Sequence, residues 1–223
     1  MGSAQTGTGK TAAYAIPIID LLLKSKNSSV LILIPTRELA KQVLDVVHSL
    51  LGFKSSISSI SLIGGESMSK QLSQLKRKPR IFVGTPGRIN DHLRRGSVNF
   101  KDVKYLILDE TDRMLDMGFE VQIKDILKHI KGEKQILMFS ATIPKNIIQL
   151  SSKYLNDPIR VSIGDSNIVA ENITQEIIEL KSDEKLLEVV NQINKRNGSI
   201  LVFVKTKYGT CLLYTSPSPR DDR

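Results

Sequence analysis

The chain has 223 residues, of which 40% are hydrophobic and 25% charged, a composition typical of a globular protein and against general disorder. It excludes a disulfide framework and a cysteine cluster for a metal, because Cys211 is the only cysteine. No apolar run approaches the roughly 20 residues of a membrane-spanning helix, and we expect a cytoplasmic protein. The net charge of +9 favours a polyanionic partner such as nucleic acid.

The first predicted element is a phosphate-binding loop, AQTGTGKT, followed by a helix from about Gly9 to Lys24. Glycines let the backbone N–H groups of such a loop turn toward phosphate oxygens. Lys10 is placed to reach the β- and γ-phosphates of a nucleotide, and the Thr11 hydroxyl to ligate Mg²⁺. The loop consists of Ala4, Gln5, Thr6, Gly7, Thr8, Gly9, Lys10 and Thr11.

Only three residues precede this loop, so we expect the strand that normally leads into it to be missing. That strand would be internal in the sheet and paired on both sides. Its loss would leave neighbouring strands without backbone partners and open a gap in the core. We therefore expect the chain to be poorly stable.

Strands and helices then alternate, which predicts an α/β fold with a parallel sheet covered on both faces. Ligands bind such sheets at the carboxyl ends of the strands. The predicted strands are 30–35, 60–64, 80–84, 105–110, 135–142 and 159–163. The predicted helices are 37–51, 68–76, 88–94, a helix that carries Ile123, Ile126, Leu127 and Ile130 on one face, and 145–154.

The acidic motif LILDETD places Asp109 and Glu110 where a buried strand ends. There Asp109 would bind a metal through water, and Glu110 would accept a proton from the water that attacks the γ-phosphate. A solvated acidic turn is the alternative, and the phosphate-binding loop upstream argues against it. Together the loop and the acids predict a nucleotide-hydrolysing domain.

Four further motifs each follow a predicted strand: PTRELA at 35–40, GG at 64–65, TPGR at 85–88 and SAT at 140–142. With the phosphate-binding loop and DETD, in this order, they resemble the DEAD-box RNA helicases from Gly2 to about Lys207. The resemblance implies a RecA-like P-loop NTPase domain that uses ATP and Mg²⁺ to separate short RNA duplexes or remodel ribonucleoproteins. DETD departs from the family's usual third alanine, and we expect Thr111 to have little effect.

The resemblance also implies roles for individual residues. The PTRELA, GG and TPGR motifs hold the sugar-phosphate backbone of one RNA strand independently of base sequence, through Thr36, Arg37, Gly64, Gly65, Thr85, Gly87 and Arg88. SAT couples nucleotide state to strand separation, with Ser140 and Thr142 meeting Asp112.

By the same resemblance, residues 1–163 form the first RecA-like domain, 164–172 a linker, and 173–210 a truncated start of the second. That start is predicted as strand 173–180, helix 185–195 and strand 199–206. The final TSPSPRDDR, residues 215–223, has neither hydrophobic periodicity nor helix signals, and we exclude residues 211–223 from the fold as a non-native tail.

Two other function classes remain open. One is an RNA-binding module without turnover, which the intact Lys10, Thr11, Asp109 and Glu110 argue against. The other is a P-loop kinase for a small molecule, which has no use for the four later motifs. Because the family's completing arginines would lie in a second domain, we expect this chain alone to show no RNA-stimulated ATPase or unwinding.

Overall fold

The computed structural model describes residues 1–4, 7–52, 55–163, 174, 176–181 and 183–215. The chain divides into two compact units, Met1–Ile168 and Val169–Arg223. The linker predicted at 164–172 lies outside the described residues, as do residues 216–223 of the predicted tail. Among the described residues, no helix has the length and apolarity to span a bilayer.

The first unit is built on a seven-stranded sheet in which every neighbouring pair is parallel. The strands are β1 (Gly2–Ala4), β2 (Ser29–Leu33), β3 (Ser59–Leu62), β4 (Ile81–Gly84), β5 (Val103–Leu108), β6 (Gln135–Ser140) and β7 (Val161–Ile163). Their spatial order is β3-β4-β2-β5-β6-β1-β7. The predicted parallel α/β architecture is confirmed.

Seven helices connect these strands in the described part of the first unit. They are α1 (Lys10–Lys24), α2 (Arg37–Leu51), α3 (Met68–Leu75), α4 (Pro86–Arg94), α5 (Thr111–Asp116), α6 (Glu120–His129) and α7 (Lys145–Tyr154). The predicted bounds of α2 and α7 are correct to the residue. Helix α4 begins two residues earlier than predicted, because proline is well suited to the first helical turn.

The core lies on both faces of the sheet, as the alternation along β2 shows. Leu31 and Leu33 belong to the apolar cluster that also contains residues of α4, α6 and α7. Val30 and Ile32 belong to the other cluster, which contains residues of α1 and α2. A strand buried on both faces is apolar throughout, and all five residues of β2 are buried.

The prediction that the strand before the phosphate-binding loop is missing was wrong. Strand β1 lies between β6 and β7, where Gly2 pairs with Phe139 and Val161, and Ser3 with Ser140 and Ser162. The Met1 carbonyl extends this pairing by accepting from the Val161 N–H at 2.9 Å. Three residues therefore provide backbone partners for both β6 and β7. The structural reason for expecting poor stability is removed.

The second unit contains two helices in its described residues, α8 (Lys185–Asn194) and α9 (Lys207–Thr215). The strands predicted at 173–180 and 199–206 were wrong, since their described residues form no ladder. Ile177 is 92% exposed and Phe203 is 87% exposed. Two short strands without further partners are at best marginal in water. Helix α9 also includes Cys211–Thr215, which the sequence analysis had excluded as a tail.

Candidate functional site

The predicted site residues that the structure describes lie at the ends of strands β1 to β6, at the carboxyl edge of the sheet. Because the strands are parallel, their carboxyl ends share one edge. The strand order divides this edge into two halves. The phosphate-binding loop, DETD and SAT follow the neighbouring strands β1, β5 and β6, whereas PTRELA, GG and TPGR follow β2, β3 and β4.

The described residues of the phosphate-binding loop have the backbone that an anion site requires. Gly7 and Gly9 have φ angles of 83° and 88°, a left-handed conformation that glycine adopts without strain. Helix α1 begins at Lys10, so its N-terminal N–H groups lie beside the loop. The Lys10 ammonium donates to the Ala4 carbonyl at 2.9 Å. Gln5 and Thr6 lie outside the described residues.

A cavity of about 380 Å³ joins this loop to the acidic motif. Its polar end is formed by the loop and by the first acids of DETD, and its apolar side by Ile34, directly after β2, and by residues of α2. The residues of the two motifs that line the cavity are Gly7, Gly9, Lys10, Thr11, Asp109 and Glu110. The structure therefore places the predicted phosphate-binding and acidic residues around one space.

Asp109 is held by two donors at the end of β5. Its Oδ1 accepts from the Glu110 N–H at 2.9 Å, and its Oδ2 accepts from the Tyr14 hydroxyl at 2.9 Å. Burial raises the pKa of Asp109, and these two hydrogen bonds oppose the rise. Burial, reinforced by Asp109, also raises the pKa of Tyr14, so the phenol keeps its proton and remains a donor. The Thr11 side chain also lies beside the Tyr14 hydroxyl.

Glu110 has an unusual backbone for a residue with a long side chain. Its φ and ψ are 49° and 50°, the left-handed region that non-glycine residues rarely adopt. The residue caps α5, and its carboxylate forms an ion pair with Arg113 at 3.2 Å. Strained backbone of this kind concentrates at functional sites, where the surrounding structure enforces it.

The last acid of DETD contacts the SAT motif, as expected. The Asp112 Oδ2 accepts from the Thr142 N–H at 2.9 Å and from the Thr142 hydroxyl at 2.8 Å. The Ser140 hydroxyl accepts from the Asp112 N–H at 3.3 Å and donates to the Thr142 carbonyl at 2.6 Å. Burial raises the pKa of Asp112, but the hydrogen bonds from Thr142 outweigh it and leave the pKa below its ordinary value.

Thr111 joins strands β5 and β6, a role that the sequence did not predict. Its side chain is fully buried. The hydroxyl lies 3.1 Å from the Leu108 carbonyl and 3.0 Å from the Phe139 carbonyl, and it donates its single proton between them. The threonine in place of the family's usual alanine was the available signal, and its buried hydroxyl links β5 to β6.

In the other half of the edge, Arg37 lies against the GG turn. A Cβ atom on Gly64 would lie 3.1 Å from the Arg37 Nη2, and one on Gly65 would collide with the guanidinium. Gly65 also has a φ of 79°, so both geometry and space favour glycine. Thr36 caps α2 and accepts from the Leu39 N–H at 3.4 Å. The PTRELA and GG motifs are therefore in contact.

The TPGR residues begin α4 beside the same turn. The Thr85 N–H donates to the Leu62 carbonyl at 3.2 Å, which joins the end of β4 to that of β3. Gly87 is in the first turn of α4 and has open space around its Cα. Arg88 donates to the Gln71 Oε1 at 3.0 Å and to the Glu66 carbonyl. The predicted RNA-contacting residues thus form one surface.

Gln71 and Tyr14 are two further residues that the sequence analysis did not select. Both are fully buried and both bond a predicted site residue, Gln71 to Arg88 and Tyr14 to Asp109. A polar residue on the buried face of a short helix was the only signal for Gln71. For Tyr14 the signal was a hydroxyl on the apolar face of α1.

Comparison with known proteins identifies the family to which these motifs correspond. The family model for DEAD/DEAH box helicases matches residues 1–150. The chain is 42% identical over 211 residues to the ATP-dependent RNA helicase DeaD of Mycobacterium tuberculosis, covering 94% of the chain and 37% of that protein. It is 38% identical over 208 residues to the DEAD-box ATP-dependent RNA helicase RhpA of Helicobacter pylori, covering 93% of the chain and 42% of that protein.

Solved structures give the same result for the fold. The match to a DEAD box protein from Methanococcus jannaschii covers 99% of this chain and 59% of the chain of that protein, with a TM-score of 0.68 and 40% identity. The yeast DEAD-box splicing factor Prp28 matches 95% of the chain and 51% of its own, with a TM-score of 0.72 and 30% identity. The fold is RecA-like, and the chain spans about two fifths of the length of the two curated relatives.

Proposed function

Because the chain belongs to the DEAD/DEAH box helicase family, we propose that it supplies the ATP-binding part of an ATP-dependent RNA helicase. The observation that carries this proposal is the division of the carboxyl edge. The residues proposed to bind ATP follow β1 and β5, and the residues proposed to bind the RNA backbone follow β2, β3 and β4. The hydrogen bond from Thr142 to Asp112 links the ends of β5 and β6. In the full-length protein, ATP hydrolysis would drive local separation of RNA duplexes or remodelling of ribonucleoproteins.

The phosphate-binding loop would hold ATP through its N–H groups, the start of α1 and the Lys10 ammonium. Thr11 and Asp109 carry the hard oxygen donors that Mg²⁺ prefers, and both line the same cavity beside the Tyr14 hydroxyl. No group of three or more His, Cys, Asp or Glu in the described part of the chain could hold a metal alone. Mg²⁺ would therefore bind here together with nucleotide oxygens and water, and would neutralise the phosphates.

Glu110 would handle the attacking water. It follows Asp109 directly and lines the same cavity as Lys10. Its carboxylate would orient that water and accept its proton, while the left-handed backbone holds the side chain at the end of the sheet. Arg113 pairs with the same carboxylate at 3.2 Å and holds it near the start of α5.

RNA would bind the other half of the edge through its phosphates. Arg37 and Arg88 provide positive charge, and the GG glycines leave room for the Arg37 guanidinium. Gly87 leaves open space for the RNA backbone at the first turn of α4, and α4 presents its N-terminus. None of these groups reads a base edge, so binding would be independent of sequence. The net charge of +9 supports a nucleic-acid partner, and the single cysteine supports the cytoplasm as the location.

An ATPase assay on the full-length protein tests this proposal. We expect RNA to stimulate hydrolysis, and Glu110→Gln to keep ATP binding while turnover falls about 10²-fold or more. A small-molecule kinase would ignore RNA, and an RNA-binding module without turnover would show no hydrolysis above a Lys10→Ala control. Unchanged turnover in Glu110→Gln would remove Glu110 from its assigned role.

RNA binding is tested separately with Arg37→Ala and Arg88→Ala. Each should weaken binding to unrelated RNA sequences by a similar factor, and the affinity should fall with salt concentration. A strong preference for one RNA sequence, lost in either variant, would show that this surface reads bases.

A further inference from the structure

Two fully buried polar side chains, Gln71 on α3 and His92 on α4, are hydrogen-bonded to each other beside Arg88. Both have no solvent exposure, yet each is hydrogen-bonded. Gln71 follows the GG motif by six positions, and His92 lies one turn beyond Arg88 on α4. They occupy the space between the two motifs that are proposed to contact RNA.

The orientation of the Gln71 amide follows from its partners. One end of the amide lies 2.9 Å from the Ile63 carbonyl and 3.4 Å from the Glu66 Oε2. Both partners are acceptors, so this end is the NH₂ group. The other end is therefore the oxygen, and it accepts from the Arg88 Nε at 3.0 Å and from the His92 Nε2 at 2.8 Å.

The same reasoning fixes the His92 tautomer. The Nε2 faces an oxygen that only accepts, so it carries the proton. The Nδ1 lies 2.8 Å from the Ser97 hydroxyl, whose single proton is shared between this nitrogen and the His92 carbonyl at 3.0 Å. Burial, helped by the charge of Arg88, lowers the pKa of His92, so the neutral ring with its proton on Nε2 is favoured. Ser97, His92 and Gln71 thus form a chain that ends at Arg88.

Arg88 is consequently anchored at two points. Its Nε donates to Gln71, and its Nη2 donates to the Glu66 carbonyl in the GG loop. Within the described residues, its Nη1 has no hydrogen-bond partner and is available for a phosphate oxygen. A free arginine side chain loses about 0.5–1.5 kcal/mol of conformational freedom when it is immobilised on binding. An arginine that is already held avoids much of that loss.

We propose that Gln71 is a positioning residue for RNA binding, which fixes the Arg88 guanidinium and ties it to the GG turn, with His92 holding the Gln71 amide. The NH₂ group of Gln71 bonds the carbonyl directly before Gly64, and its oxygen bonds Arg88. One side chain therefore sets the spacing between two phosphate-binding motifs. This inference rests on the proposed RNA contact of Arg88.

A double-mutant cycle on the 223-residue chain tests this role. Affinity for a fluorescein-labelled single-stranded RNA is measured by anisotropy at low salt for Gln71→Met, Arg88→Ala and the double variant. We expect Gln71→Met to weaken binding about 3- to 10-fold in the wild-type background, the fold-change that corresponds to one immobilised side chain. In the Arg88→Ala background, the same change should have almost no effect.

The salt dependence gives a second readout that a purely structural role would not change. Loss of one phosphate contact lowers the slope of log affinity against log salt by roughly 0.7 for single strands. Gln71→Met should move the slope toward that of Arg88→Ala. His92→Phe keeps an aromatic ring in place and should show a smaller effect of the same kind, so the test survives if Gln71→Met does not fold.

Asn90→Leu is the matched control. Asn90 is a buried polar residue on α4, the helix that also carries Arg88 and His92. Its amide donates to the Gln122 carbonyl at 3.1 Å and makes no hydrogen bond to Arg88 in the described part of the chain. Its effect on affinity should be the same with and without Arg88. If Arg88→Ala leaves affinity unchanged, the proposed RNA surface is wrong and the inference is lost with it. If Arg88→Ala weakens binding but Gln71→Met acts equally in both backgrounds, the RNA surface stands and the positioning role is overturned.

Discussion

Removal of a single oxygen atom, by Tyr14→Phe, tests how the Asp109 carboxylate is held. The Tyr14 hydroxyl is fully buried and donates to the Asp109 Oδ2 at 2.9 Å, while Asp109 itself is only 7% exposed. A hydrogen bond to a charged acceptor contributes about 1.5–3 kcal/mol. Without it, the carboxylate retains the Glu110 N–H as its remaining direct donor. We expect the free energy of unfolding to fall by about 2 kcal/mol.

That loss is measured by urea and thermal unfolding followed by circular dichroism. For a unit of this size, about 1 kcal/mol corresponds to a change of roughly 2–4 °C in melting temperature. Tyr14→Phe should therefore lower the melting temperature by roughly 4–8 °C. The ring of Tyr14 still packs against Phe139, 5.2 Å away between centroids, so the apolar contribution stays the same.

Tyr105→Phe is the control for Tyr14→Phe. Tyr105 is half-buried on β5, and its hydroxyl makes no hydrogen bond to any described residue. The same substitution there should change the free energy of unfolding by less than about 0.5 kcal/mol. Equal effects at the two positions would refute the reasoning. The Asp109→Asn background provides a further check, since Tyr14→Phe should be less destabilising once the acceptor is neutral.

Three further outcomes follow from the contacts of the first unit. Thr111→Ala should reduce the free energy of unfolding by about 1 kcal/mol, because the bond between β5 and β6 is lost; no change in urea midpoint would contradict that link. Asp112→Asn should be less stable than wild type at pH 7. The difference should narrow as the pH falls below the ordinary carboxyl value of 3.8, since a lowered pKa stabilises only above it; a gap independent of pH would count against this. Gly2→Val should cost about 1–3 kcal/mol, because its Cβ would lie 2.8 Å from the Phe139 ring; a thermal melt like that of wild type would show that β1 is not packed as described.

The sequence was sufficient for the sheet and for the motif positions, because each motif directly follows an apolar strand with a clear pattern. It was insufficient for β1, since three residues carry no periodicity and the strand is defined by its partners on β6 and β7. The Gln71 network was equally inaccessible. Arg88 and His92 lie 17 and 21 positions from Gln71, and nothing local distinguishes a buried glutamine that bonds Arg88 from one that does not.

The strand predictions for the second unit were wrong for a related reason. The segments 173–180 and 199–206 have the apolar composition of strands, and composition was the basis of the prediction. A strand is stabilised by its neighbours, however, and the described residues of this unit provide none. Local pattern predicted what these segments are suited to form, whereas pairing decides what they do form.

The left-handed backbone at Glu110 has a consequence for how defective copies of this protein behave in a cell. A side chain with a Cβ costs about 1–2 kcal/mol in that conformation, and glycine does not. Glu110→Gly would lose the ion pair between the 14% exposed Glu110 side chain and the 55% exposed Arg113, but it would also remove the backbone strain, so it would fold about as well as the wild type. Chaperones and proteases remove chains that unfold, so this variant would escape them. A cell that carries such a mutation would then contain abundant, folded and inactive protein. Only the loss of activity, and not a loss of protein, would reveal the defect.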